Sequence, residues 1–183
     1  MTSVRVVLTY RDYAALPVDG RRYEIHDGEL NVTPAPGRTH QYVLLRLATA
    51  LHAHVSAHDL GEIYIAPFDV ILADTTIVQP DITFVAKDRL AILSERGADG
   101  APTLVIEMLS RSTTHIDRTT KLQLYARHAV PYYWIVDPER HLVEAYRFAA
   151  GAYDVPQRSG GDELTGLPPF EALRLDSMSL WLR

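Results

Sequence analysis

Glu107 stands inside the apolar run TLVIEMLS of residues 103–110. Leu104, Val105 and Ile106 lead into it and Met108 and Leu109 follow, a pattern that forms a strand buried on both faces. A buried, ionised carboxylate needs a partner that offsets its desolvation. Two other acids also sit beside apolar elements. Asp81 follows Pro80 at the mouth of DITFVA, and Glu24 lies between Tyr23 and Ile25. Lys121 precedes Leu122, stands one turn before Tyr125 on the shoulder of a helical apolar stripe, and has Asp117 at i−4 spacing. Converging carboxylates raise one another's pKa, and a hard divalent cation removes that conflict. Mg²⁺ takes one or two carboxylates, a carbonyl and several waters, and a nearby ammonium can orient or activate water and stabilise charge on a phosphate. The set therefore outlines phosphodiester hydrolysis. Singly, each residue has a plainer reading: Glu107 paired with Arg or Lys, Asp81 opening a strand, Lys121 a surface lysine with its stem along apolar side chains.

The elements that must hold these groups are legible in part. Thr9 is placed to cap a short helix over Tyr10–Leu16, and RRYEIHDGELNV reads as two strands around the Asp27-Gly28 turn. Thr39 is a candidate cap for a long helix with Val43, Leu44, Leu47, Leu51 and Val55 on one face, ended by Gly61. EIYIAPFDVIL, DITFVA and TLVIEML read as strands, with the segment KDRLAILSERGADG between the last two. A second helix is expected over residues 114–129, with Leu122, Tyr125, Ala126 and Ala129 buried and Pro131 past its end. YYWIVD and HLVEAYRF read as a hairpin across Asp137-Pro138-Glu139-Arg140. The C-terminal third shows no pattern that places an element. A mixed sheet flanked by a few helices, in one domain spanning 1–183, is the expected α/β (α+β) architecture.

Composition excludes several classes. The 183 residues are 47% hydrophobic and 22% charged, as in a soluble globular chain, and no apolar run is long enough to span a bilayer. The N-terminus MTSVRVVLTYRDY lacks a signal-peptide core, and the absence of cysteine removes disulfides, Cys-type zinc sites and thiol nucleophiles, so a cytoplasmic setting is expected. A net charge of −5 argues against a large basic face but leaves room for a local positive groove. His54 and His58 lie one helical turn apart without a third ligand at zinc-site spacing. Ser110, Ser112, Thr113 and Thr114 can cap the second helix or hold a phosphate. Tyr132, Tyr133 and Trp134 read as sheet packing rather than a base-stacking platform.

Seven blocks resemble, in order, the Uma2 family, also called DUF820: YEIHDGEL, TPAPGRTHQ, APFDVIL, QPDITFV, VIEMLSRST, DRTTKLQLYARHAVPYYWIVDP and VEAYRF. The resemblance covers roughly residues 8–150. It implies a restriction-endonuclease-like fold related to the PD-(D/E)XK nucleases, with a mixed β-sheet core flanked by helices. Pro80-Asp81 would be the "PD" and Glu107 the second acid. The position two after Glu107, where the wider pattern has lysine, holds Leu109; the resemblance relocates that lysine to the helix, at Lys121. Glu24 matches an accessory metal ligand contributed early in the fold, and His40 a recurrent histidine with no role assigned. The resemblance thus implies a Mg²⁺-dependent endonuclease, with Mn²⁺ as a substitute, acting on nucleic acid, DNA ahead of RNA. Asp81, Glu107, Glu24 and the Met108 carbonyl would be its metal ligands, and Asp81, Glu107, Lys121 and Glu24 its catalytic set. A homodimer is expected, because cutting a duplex needs two sites. The alternative is an inactive nuclease-fold module that binds nucleic acid or a protein partner, favoured by Leu109, the acidic net charge and the lack of a basic arm.

Overall fold

The computed structural model describes residues 6–110, 114–161 and 163–182. Thr9 precedes α1 (Tyr10–Ala14), and its amide and hydroxyl both donate to the Asp12 carboxylate at 2.8 Å. β1 (Arg22–His26) and β2 (Glu29–Thr33) form the hairpin read from the sequence, with Asp27 and Gly28 at φ 50° and 83°. Those left-handed values match the twist of a two-residue hairpin turn.

α2 (Arg38–Ala57) buries Val43, Leu44, Leu47, Leu51 and Val55 as their spacing predicts. Its cap is Gly37, in extended conformation, and Thr39 lies inside the first turn. The helix stops at Ala57; Gly61 instead opens β3 (Gly61–Ile65). There φ is 145° and the Val85 carbonyl would lie 2.1 Å from any Cβ, so a side chain has no room. EIYIAPFDVIL is not one strand. It breaks at Ala66-Pro67, and β3 and β4 (Val70–Ala73) enter different sheets.

β5 (Thr76–Val78) and β6 (Ile82–Ala86) follow, then a 3₁₀ turn at Lys87–Ile92 and the short strands β7 (Leu93–Ser94) and β8 (Gly97–Asp99). β9 (Leu104–Met108) is buried along its whole length. β10 (Tyr132–Asp137) and β11 (Leu142–Ala149) form the expected hairpin. The C-terminal third contains β12 (Ala152–Tyr153), β13 (Gln157–Gly160), the hairpin of β14 (Glu163–Leu167) and β15 (Phe170–Asp176), and a helical turn at Ser177–Leu180.

One sheet runs β2-β1-β5-β4-β8-β7 and the other β12-β11-β10-β9-β6-β3, with β13 on β11. One of the passages from the first to the second lies between β5 and β6, at Gln79-Pro80-Asp81. Alternation along β9 divides the interior. Leu104, Ile106 and Met108 face α2 and the C-terminal hairpin, whereas Val105 and Leu109 pack with Leu124, Tyr125 and Tyr133. Glu107 belongs to this second face.

The second helix runs over residues 114–127, with Asp117–Lys121 in a π turn between the α-helical turns Thr114–Ile116 and Leu122–Arg127. A π turn adds a residue and rotates the buried face. Its buried residues are therefore Asp117, Lys121, Leu124 and Tyr125 instead of the stripe expected through Leu122, Ala126 and Ala129. Ala129 is exposed at φ 51°, just past the helix end. Among the described residues no helix is long and apolar enough to cross a membrane.

Candidate active site

β1 places Arg22, Glu24 and His26 on one face at alternate positions. Across from them stand Asp81, at the crossing between the sheets, Glu107 on β9, and Lys121 in the π turn. Glu24, Asp81, Glu107 and Lys121 are 1%, 1%, 2% and 3% exposed. Lys121 Nζ donates to Glu107 Oε1 at 2.8 Å and to Glu24 Oε1 at 3.1 Å. The Tyr125 hydroxyl donates to the same Glu107 oxygen at 2.7 Å. Glu24 also accepts from the Gln79 amide at 2.8 Å, and its other oxygen lies 3.0 Å from His26 Nε2. The question raised by Glu107 thus has a first answer: an ammonium and a phenol.

Asp81 is held separately. Arg22 Nη1 donates to Oδ1 at 2.9 Å, and the Met108 amide donates to Oδ2 at 2.8 Å, with His40 Nε2 3.0 Å from that oxygen. The Tyr133 hydroxyl donates to the Asp117 carbonyl at 3.1 Å, a carbonyl within the π turn that carries Lys121. The sequence therefore folds its helix irregularly at the residues that face the cluster, as π turns at functional sites do.

Burial and charge set the protonation states. Burial alone would raise Asp81, but His40 and Arg22 outweigh it and hold its carboxyl at about 2. Burial also opposes the ionisation of Glu24, and Lys121, His26 and Arg22 overcome it, so Glu24 lies well below the usual carboxylate range. Glu107 goes the other way. Burial pushes it up to about 8, Lys121 opposes, and Asp117, Asp81 and Glu24 add their repulsion. Burial would lower Lys121, yet Glu107, Glu24 and Asp117 keep it above the ordinary lysine range, a fixed ammonium. Burial and Glu107 likewise keep Tyr125 a neutral phenol.

The cluster borders a cavity of about 120 Å³ that reaches Glu24, Asp81, Glu107, Lys121 and Arg22, with Thr33 at the end of β2 and the loop 34–37 also lining it. Among the described residues four buried acids, Glu24, Asp81, Glu107 and Asp117, line this cavity together with two fixed cations, Arg22 and Lys121. No three His, Cys, Asp or Glu among the described residues already stand as a cation cage. Arg22 and Lys121 instead sit on the carboxylates. The carboxylates nonetheless suit a hard divalent cation: they are oxygen donors, and burial, with the repulsion of Asp117, Asp81 and Glu24, keeps the Glu107 carboxyl from ionising until a cation offsets it.

Glu24, Asp81, Glu107 and Lys121 lie at this cluster and His40 and Met108 at its wall, where it is the Met108 amide, not the expected carbonyl, that meets Asp81. Leu109 packs among Leu124, Tyr125 and Tyr133, which leaves its position no access to the cavity. Lys121 is buried in the cluster, not on a shoulder. Arg22 and His26 escaped the sequence reading, although their i−2 and i+2 relation to Glu24 on a strand was a usable signal. The role of Tyr125 had no signal beyond its place in an apolar stripe. The His54 and His58 rings lie 4.5 Å apart beside Phe170, away from the cluster. Thr114 Oγ1 donates to the Ser110 carbonyl at 2.6 Å, while Ser112 and Thr113 lie outside the described residues. Tyr133 and Trp134 are fully buried in the sheet.

Residues 10–178 match the model of the Uma2 family, described as "Putative restriction endonuclease". A solved structure described as "a putative nuclease belonging to DUF820" from Anabaena variabilis is similar, with a TM-score of 0.77 and 19% identity over 95% of this chain and 97% of that chain. At that identity the likeness shows the fold. No curated protein matches the chain.

Proposed function

The chain belongs to the Uma2 family, and we propose that it is a divalent-metal-dependent endonuclease that hydrolyses phosphodiester bonds, in DNA ahead of RNA. One observation carries this reading: acids from three separate elements, Glu24, Asp81 and Glu107, are buried around one lysine beside a cavity. Burying such a group is costly, and functional sites are where it is tolerated. Asp81, Glu107, Glu24 and the Met108 carbonyl would hold Mg²⁺ or Mn²⁺, which when bound supplies Lewis acidity toward a phosphoryl oxygen. Lys121 is kept protonated by its neighbours, so it acts as a donor that orients water and as a charge that offsets the phosphate, not as a base. Arg22 turns from Asp81 toward the phosphate, where its planar fork suits two oxygens. His40 and the Met108 amide keep the Asp81 carboxylate in place. A homodimer would bring two such sites to a duplex.

Plasmid nicking in Mg²⁺ tests the reading. Asp81→Ala and Glu107→Ala should abolish nicking while retaining the wild-type circular dichroism, and an active Asp81→Ala protein refutes the mechanism. One observation favours a second reading. Asp81 already has three donors and Lys121 two carboxylates, as in a retired site that only binds. That version predicts no metal affinity. Steep salt dependence would then mark a nucleic-acid ligand and weak dependence a protein partner.

A further inference from the structure

Beside the carboxylate cavity lies a larger one, about 540 Å³, that the hydrolytic chemistry leaves unused. It shares a wall with the first: Arg22, Thr33, His40, Asp81 and the loop 34–36 border both. Its far side is built by α1 and the segment after it, with Tyr13, Ala14, Leu16, Pro17 and Val18. Pro67 and Leu44 add apolar surface, and Arg21 stands exposed at the rim. The volume falls within the range of about 300–1,000 Å³ common for small-ligand sites, and apolar walls with a few placed polar groups are their usual composition.

The polar groups in this wall are held in definite orientations. Gln79 Nε2 donates to Tyr13 Oη at 3.0 Å and to Asp69 Oδ1 at 2.8 Å, while the Tyr13 hydroxyl donates to the same Asp69 oxygen at 2.7 Å. Reversing the amide would set its oxygen against the Asp69 carboxylate, so Oε1 is fixed as an acceptor. Gln79 is 8% exposed, and its Oε1 has no donor. Arg22 Nε, in the same wall, is likewise a buried donor without an acceptor. Those two atoms are sealed from the cavity; what the cavity offers is a largely apolar space whose way to the carboxylates leads past Arg22, His40 and Asp81, the wall that both cavities share. A nucleobase on the sugar next to the reacting phosphate fits such a space.

We propose that this cavity takes one unstacked base of the strand being cleaved, so that the substrate is single-stranded nucleic acid or a duplex with that base extruded. This rests on the phosphodiesterase reading for the position of the phosphate. A base within a duplex is covered on both faces by its neighbours and cannot enter a concave pocket. Tyr13 offers an aromatic surface, and stacking of that kind accepts any base.

Binding can be measured without cleavage, by fluorescence anisotropy of a labelled single-stranded DNA hexamer in EDTA. The comparison ligand is the same sugar–phosphate chain with every base removed. The wild type should bind the base-bearing hexamer about ten-fold or more tightly, the scale of one stacked base. Ala14→Trp fills the cavity from α1 and should erase that preference. Val18→Trp adds bulk at the cavity's mouth from a fully exposed position and guards against a folding defect in the first variant. Equal binding of both ligands by the wild type, no binding at all, or a preference that survives both fillings overturns the proposal. Base-dependent binding without any metal-dependent nicking would keep the pocket and reject the nuclease; nicking without base preference would do the reverse.

Discussion

Replacing Lys121 with methionine tests the electrostatics of the cluster most sharply. The side chain is 3% exposed and contacts two carboxylates at 2.8 and 3.1 Å. Methionine keeps most of the volume and removes the charge. Glu107 can answer by staying protonated, because its carboxyl already sits at about 8. Glu24 cannot, since His26 and Arg22 also hold it ionised. Leaving a buried charge without its partner costs about 3–5 kcal/mol. For a chain of this size each kcal/mol moves the Tm by about 2–4 °C, which predicts a fall of about 6–20 °C. The assay is thermal unfolding by circular dichroism at pH 7 in EDTA. Adding Glu24→Gln should recover part of the loss, because neutralising both members of a buried pair is far cheaper than removing one. Mn²⁺ at 100 times its Kd should return about 2.7 kcal/mol, as binding to the folded state alone requires. A Tm within about 2 °C of wild type would refute the placement of Lys121 as the buried counter-ion.

Three further outcomes follow from the same groups. Asp81 is held at about 2 against an ordinary 3.8, so its contribution to stability is present above pH 3.8 and is lost as pH falls toward 2. Arg22→Met should move acid unfolding to higher pH, and an unchanged acid midpoint counts against the Arg22–Asp81 pair. Glu107 has the opposite sign: between its ordinary 4.5 and about 8 the folded chain keeps a proton that the unfolded chain has released. Stability in EDTA should therefore decline as pH rises through that window. Glu107→Gln should flatten the decline in Tm measured from pH 5 to 8, and an equal slope in both proteins contradicts the burial of that carboxyl. Leu109→Lys, which restores the lysine spacing of the wider nuclease pattern, should cost about 2–5 kcal/mol and leave nicking no faster, because that position lies in the apolar core rather than at the cavity. Faster nicking in Leu109→Lys would show that the lysine has not moved to the helix.

The parts of the fold that were legible are those in which one physical rule dominates. Asp27-Gly28 takes the left-handed turn that its residue types favour, and the α2 stripe follows helical spacing without interruption. The β10–β11 hairpin pairs Tyr132 with Arg147 through Asp137 with Leu142, in register with its turn signal. The rest depended on tertiary structure. β3 and β4 share one apolar run, and only their entry into separate sheets divides them. β14 is five residues long and interrupted by Gly166, and it and β15 gain their burial by placing Leu164, Phe170 and Leu175 in the core that α2 lines. In the site, the acids stood out because burial penalises their type. Arg22 and Tyr125 did not, because a strand arginine and a helix tyrosine are ordinary until their partners are known. The π turn at Asp117–Lys121 has no sequence signature here, yet it is what turns Lys121 inward.

Calorimetric titration of Mg²⁺ and Mn²⁺ into the wild type and into Asp81→Asn, each then assayed for plasmid nicking, addresses the central claim directly. The account predicts saturable binding and metal-dependent nicking in the wild type, both lost in Asp81→Asn. No binding and no nicking by the wild type would mean that Lys121 and Arg22 are the permanent partners of these carboxylates, and that the cluster is a structural ion-pair network.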